Sequence, residues 1–171
     1  MRSIVSILME NEPGALSRVV GLFAQRGYNI ESLTASPTDD PTLTRLNITT
    51  KVLNVAELEQ IEKQLHKLID VLKVCNVSAC EHIERELALV KVKAVGFVRA
   101  EVKRTADIFR AQIVDVTHAQ YTVQLSGSSD KIESFISAMR ETTEIIEVAR
   151  SGIVGLARGE KALNRHSAPF F

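Results

Sequence analysis

Apolar and polar positions along this chain follow a strand period, then a helix period, and the whole alternation occurs twice. Ile4-Val-Ser-Ile-Leu-Met9 is apolar on both pleat faces, as a central strand requires. Leu16, Val19, Val20 and Phe23 then recur at helical spacing, with Ser17, Arg18, Gln25 and Arg26 outside the stripe. Gly27 suits the left-handed residue that closes a helix. Tyr28–Ala35 reads as a strand, Ser36–Pro41 as a turn, and Leu43–Val52 as an alternating strand with Leu46, Ile48, Thr50 and Val52 on one side. Asn54 is placed to cap a second helix with Glu57 three residues on. Leu58, Ile61, Leu65 and Leu68 form its stripe, and Val71–Val77 is the last strand of this half.

The second pass opens at Leu87–Val95, again apolar on both faces. Val98, Val102, Ala106 and Phe109 predict a helix. Ile113–Val116 and Tyr121–Leu125 predict a strand pair around Thr117-His118. Asp130 is placed to cap a helix with Ile132, Phe135, Ile136 and Met139 inside, and Ile145–Val148 closes the unit. Each half reads βαββαβ with a period of roughly eighty residues, too long for a solenoid. The expected fold class is α+β, two ferredoxin-like sandwiches in tandem, each an antiparallel sheet with two helices on one face. The expected domains are 1–80 and 81–159, with charged 81–85 as the boundary. Beyond Arg150 the pattern dissolves, and 160–171 is expected to be a flexible tail.

Composition narrows the function classes. Apolar residues are 45% of 171, with no tryptophan, so aliphatic side chains must fill the cores. Lys+Arg and Asp+Glu are both 21, and this balance argues against a nucleic-acid groove. No apolar run approaches the ~18–20 residues of a membrane span. The N-terminal apolar run is broken by Ser3 and Ser6 and lacks a cleavage site, so a signal peptide is not expected. Cys75 and Cys80 are read as a reduced pair in a cytoplasmic protein.

The candidate chemistry lies at the first strand-to-helix junction, Asn11-Glu-Pro-Gly-Ala-Leu16. A free amino acid carries a carboxylate and an ammonium, and each needs a partner. A helix N-terminus offers aligned N–H donors and about half a positive charge. Pro13 presets the backbone for helix entry. Gly14 has no Cβ, so a ligand can approach the main chain there. Asn11 and Asn29 each carry both donors and an acceptor, and Leu16, Ile30 and Leu33 offer apolar surface. The same residues also serve plain helix capping, entry and exit, and local chemistry leaves both readings open.

Other constellations carry less. Asp39-Asp40 between prolines is a turn pattern before it is a cation site. His66, His82, His118 and His166 are dispersed without ligand spacing. No nucleophile elbow and no glycine-rich phosphate loop occurs. No catalytic or metal-binding residue is therefore predicted.

Glu10-Asn-Glu-Pro-Gly-Ala-Leu-Ser-Arg18 and Arg26-Gly-Tyr-Asn-Ile-Glu-Ser-Leu33 resemble the N-terminal ACT domain of the acetolactate synthase (acetohydroxyacid synthase) small-subunit family. The likeness continues through Thr38-Asp-Asp-Pro41, Gln64-Leu-His-Lys-Leu68, Arg85-Glu-Leu-Ala-Leu-Val-Lys-Val92, Ile108-Phe-Arg110, Tyr121-Thr-Val-Gln-Leu-Ser-Gly127 and Glu147-Val-Ala-Arg-Ser-Gly152. It covers about 2–159.

The resemblance implies a non-catalytic regulatory subunit in branched-chain amino-acid biosynthesis. It implies a partner, the large catalytic subunit, which holds thiamine diphosphate, magnesium and FAD. It implies a homodimer, with valine, and in some members leucine or isoleucine, bound where two ACT domains pair. Asn11, Gly14, Asn29 and Ile30 match the effector positions, with Pro13, Ala15 and Leu16 lining the same turn. Ala35 stands where the family carries a larger aliphatic residue. The second unit lacks the Asn-x-Pro-Gly turn, so a role in dimer or partner contact is expected there rather than valine binding. Two other classes stay open on sequence: a free-standing ACT sensor acting on another partner, and a small enzyme on the same fold.

Overall fold

The computed structural model describes residues 1–171 and divides into two compact units, Met1–Ile83 with Ile153–Phe171, and Glu84–Gly152. The first contains β1 (Arg2–Glu10), α1 (Ala15–Gln25), β2 (Asn29–Pro37), β3 (Leu43–Lys51), α2 (Val55–His66) and β4 (Val71–Asn76). Its antiparallel sheet has the order β2-β3-β1-β4. Val5, Ile7 and Met9 of β1 and Leu46 and Ile48 of β3 meet Val19 and Phe23 of α1 and Leu58, Ile61 and Leu65 of α2. Leu16 and Val20, expected in the helical stripe, are instead 42% and 38% exposed. Ala15, Val19 and Phe23 are the buried row.

Local chemistry sets the helix ends. α1 has no side-chain cap: Gly14 stands before it with φ 82, so Asn11 is not the cap residue. At the other end Tyr28 N–H donates to Phe23 O (3.0 Å) and Gly27 N–H to Ala24 O (3.2 Å), with φ 71 at Gly27. This is a Schellman closure, and the Phe23–Tyr28 ring pair supplies its apolar contact. Asn54 caps α2 as expected, accepting from Glu57 N–H at 2.9 Å, while Glu57 Oε2 accepts from Leu53 N–H at 2.6 Å.

The second unit repeats the plan with β5 (His82–Lys93), α3 (Val98–Ile108), β6 (Gln112–Val116), β7 (Gln120–Gly127), α4 (Ser129–Thr142) and β8 (Ile145–Arg150), in the order β6-β7-β5-β8. Val90, Val92, Val123, Val102, Ile132, Phe135 and Met139 are among its core residues. Ser128, not Asp130, caps α4 by accepting from Lys131 N–H. Asp130 lies in the first turn, where its charge complements the helix dipole. Arg150 pairs with the buried Glu86 at 2.6 Å and also with Glu133. Glu86 raises the pKa of Arg150 most, and Glu133 adds to the rise against the effect of burial.

The chain past Arg150 departs from expectation. Val154–Ala157 forms β9, and 153–171 groups with the first unit, where the sequence reading carries the second domain on to residue 159. A Cβ at Gly155 would lie 3.2 Å from Val77 Cγ1, so the glycine allows close strand packing rather than marking a loop. Arg45 donates to Gly155 O at 2.7 Å and Arg158 N–H to Glu81 O at 2.8 Å. The last residues are held too: Asn76 N–H donates to Phe170 O at 3.0 Å, and Phe171 packs against the first core.

Candidate functional site: the first strand-to-helix turn

Four backbone bonds shape the turn between β1 and α1. Glu10 N–H donates to Asp70 O (2.9 Å), Asn11 N–H to Thr42 O (2.8 Å), Glu12 N–H to Glu10 O (2.9 Å) and Ala15 N–H to Glu12 O (3.1 Å). The amides of Leu16 and Ser17 enter the helix without an earlier backbone acceptor, as first-turn amides do. Beside them lies an open cleft of about 220 Å³ lined by Met9–Glu12, Ala15, Leu16, Ala35–Pro37 and Thr44. That is below the ~300–1,000 Å³ of drug-sized sites and fits a small metabolite.

The strand register explains the lining. Met9 pairs with Thr44 and Thr44 with Pro37, so the ends of β1 and β2 and the start of β3 share one row. Asn11 donates from Nδ2 to Pro41 O at 3.2 Å, which leaves its carbonyl oxygen without a partner in the chain. Pro37–Leu43 is a tight turn built on Asp40, whose Oδ1 accepts from Thr42 N–H (2.9 Å) and Thr42 Oγ1 (2.6 Å). Those bonds hold the Asp40 carboxyl below its ordinary range. The Asp39-Asp40 pair is thus a turn, and no group of three His, Cys, Asp or Glu side chains gathers to hold a metal.

Of the seven expected effector residues, Asn11, Ala15 and Leu16 line the cleft. Gly14 faces the other way: a Cβ there would lie 3.0 Å from Arg18 Nη1. Arg18 in turn donates to Pro13 O (3.4 Å) and pairs with Asp70 at 2.6 Å. The Asp70 hydrogen bond raises the pKa of Arg18. Asn29 and Ile30 are not beside Asn11 in the same chain. They pair with Lys51 and Thr50, and Lys51 pairs with Arg2, at the far end of the sheet. Ala35, to which the family resemblance points, lines it too; Met9, Glu10, Glu12, Ser36, Pro37 and Thr44 complete the lining and are not among the expected effector residues. The strand order could have found them, because it returns the end of β2 to the start of α1.

In the second unit the bonds of Glu10 and Asn11 have counterparts, Lys93 N–H to Glu144 O (2.9 Å) and Ala94 N–H to Ala119 O (2.8 Å). There the second helical residue is Arg99 in place of Leu16. Its Nη1 donates to Ala94 O (3.0 Å), Thr117 O (2.9 Å) and His118 O (3.1 Å), and its guanidinium stacks 4.5 Å from the Tyr121 ring centre. This turn is closed by its own side chain.

Comparisons with known proteins cover both units. The family described as "AHAS small subunit-like ACT domain" matches residues 5–73, and "Small subunit of acetolactate synthase" matches 85–159. The acetolactate synthase isozyme 3 small subunit of Salmonella typhimurium is 61% identical over 95% of this chain and 99% of its own. The acetolactate synthase small subunit of Haemophilus influenzae is 63% identical over 94% and 98%. The crystal structure of the acetolactate synthase small subunit from Thermotoga maritima superposes with a TM-score of 0.86 at 36% identity, covering 94% of this chain and 99% of that one. The chain belongs to the acetolactate synthase small-subunit family, and its first unit is an ACT domain.

Proposed function

We propose that this chain is the regulatory, non-catalytic subunit of acetolactate synthase, that it works as a homodimer in the cytoplasm, and that valine bound between two ACT domains inhibits the enzyme. The observation that carries the reading is the cleft at the end of β2, which opens on an unpaired sheet edge. β2 is the outermost strand, nine residues long, with a free row of backbone donors and acceptors. A twofold pairing of two β2 strands, antiparallel and centred near Leu33, brings the partner's Asn29 beside Ser36 and Pro37. The cleft then gains a second carboxamide and Ile30, and the exposed Leu16 and Val20 of α1 gain a covering surface. The carboxylate of valine meets the first-turn amides of α1, its ammonium meets Glu10, Glu12 and the Asn11 carbonyl, and its isopropyl group meets Leu16 and Ala35.

Thiamine diphosphate, magnesium and FAD belong to the large subunit in this reading, and no helix here is long and apolar enough to cross a membrane. Valine shifts the complex toward a less active arrangement only by its difference in affinity for the two states, ~1–3 kcal/mol for typical couplings. Reconstitution with the large subunit tests the proposal. Activity should rise on adding this chain and fall when valine is added, while the large subunit alone stays insensitive to valine. Activity indifferent to the chain, or valine inhibition of the large subunit by itself, would overturn it.

A further inference from the structure

We propose that residues 160–171 are a strap that holds the turn between β2 and β3, and through it the wall of the effector cleft, in its binding shape. This rests on the effector reading above. The strap has a firm end and a loose end. At the firm end Phe170 O accepts from Asn76 N–H at 3.0 Å, Lys73 Nζ donates to Ser167 O, and Phe171 lies against the core. Phe170 N–H also points at Cys75 Sγ, 3.4 Å away. At the loose end Asn164 Oδ1 accepts from the amides of His166 (2.9 Å) and Ser167 (2.8 Å), folding the segment back. Arg165 Nη2 then sits 3.9 Å from Asp40 Oδ2, both side chains about half exposed. Leu163 and His166 close a cavity of about 190 Å³ with Leu8, Leu43 and Asp40.

Asp40 is the residue that organises the turn. It holds Thr42, Thr42 O holds Asn11 N–H, and the neighbouring Pro41 O holds the Asn11 side chain. The strap therefore touches the cleft through one ion pair and two hydrogen-bonded residues. An anchored end and an exposed ionic end give a latch that opens without releasing the segment, and salt weakens it first. The family model matched to the second half of the chain ends at residue 159 and does not cover the strap.

The test uses the full chain and Arg165→Glu, a surface substitution that repels Asp40. Amide exchange of the 38–43 segment should quicken about two- to fivefold, the range an exposed ion pair supports, with β1 unchanged. Valine affinity by calorimetry should fall by a similar factor, and high salt should reproduce both effects in the wild type but add nothing to the variant. Phe171→Ala, which frees the other end, should expose the Asn76 amide and loosen the same turn. Unchanged exchange at 38–43 in both variants would overturn the strap. A loosened turn with unaltered valine affinity would overturn its coupling to the cleft. A wild-type chain that binds no valine would overturn the effector reading instead, while the exchange data still decide the strap.

Discussion

Asn11 and Asn29 sit at opposite ends of one sheet, although they are close in sequence and carry the same chemistry. β2 spans nine residues from Asn29, beside Lys51, to Pro37, beside Thr44 in the row of Met9. At ~3.3 Å per residue that puts roughly 25 Å between them. One amino acid cannot touch both within one chain, so a shared site has to be built from two.

Mixing variants tests the shared site. Asn11→Ala and Asn29→Ala should each weaken valine binding when purified alone. A mixed dimer carries one site with both alanines and one with both asparagines. After subunit exchange of equal amounts, about a quarter of all sites should bind with wild-type affinity, the random-pairing share for a twofold dimer. Calorimetry of the mixture before and after exchange gives the result. No recovery would place both residues in separate roles.

Gly14 separates backbone from charge. Its φ of 82 costs an ordinary L residue ~1–2 kcal/mol. The side chain met there, Arg18, is flexible and half exposed, so Gly14→Ala should fold with a lowered Tm and keep valine binding. Gly14→Asp should pay the same strain and also draw Arg18 from Asp70, whose carboxylate is 8% exposed. It should lose valine inhibition while the complex stays active. Scanning calorimetry and inhibition curves on both variants distinguish the two effects. Loss of inhibition in Gly14→Ala as complete as in Gly14→Asp would assign the effect to the backbone.

The two-unit α+β plan was legible because periodicity depends on near neighbours: Leu46, Ile48 and Thr50 alternate, and Leu58, Ile61 and Leu65 recur, whatever lies beyond. The turn Asn11–Leu16 was legible for the same reason. Periodicity does not show its second wall, since Ala35, Ser36 and Pro37 reach it only through the pairing of β2 with β3 and β3 with β1; the family resemblance alone points to Ala35. Leu16 and Val20 read as part of the helical stripe because an apolar stripe does not say whether this chain or another covers it, and Leu16 reads equally as apolar surface for a ligand. Val154–Ala157 was missed because two glycines among four or five residues read as a loop, whereas close packing on Val77 requires one of them.

Asp40 predicts an acid-sensitive turn. Its pKa is lowered by the Thr42 hydrogen bonds, so the contribution of the carboxylate is complete above the ordinary value of 3.8 and is lost as pH falls through the lower folded value. The Thr42 amide resonance should hold constant from neutrality to about pH 5. It should then move with the Asp40 carboxyl signal, with a midpoint below 3.8. Asp40→Asn should remove that titration. A midpoint at or above the ordinary value would contradict the bonding geometry.

Arg110 invites a stabilising change. α3 closes as α1 does, with Ala111 N–H donating to Ala106 O (2.8 Å) and Arg110 N–H to Asp107 O (3.1 Å). Arg110 occupies the place of Gly27, at φ 57 rather than 71, and is the one residue other than glycine with positive φ. Removing its Cβ relieves ~1–2 kcal/mol of left-handed strain. Glycine also gives the unfolded chain more freedom, which takes back ~0.4–1 kcal/mol. Arg110 is exposed and its side chain makes no hydrogen bond or ion pair, so little else is lost. Arg110→Gly should therefore stabilise the second unit by about 0.5–1 kcal/mol, the difference between those two effects. Arg110→Ala keeps the strained Cβ and should not stabilise. Urea unfolding followed by amide exchange in α3 and β6 reports the second unit by itself, and a gain in both variants would mean that the guanidinium, not the backbone, had been unfavourable.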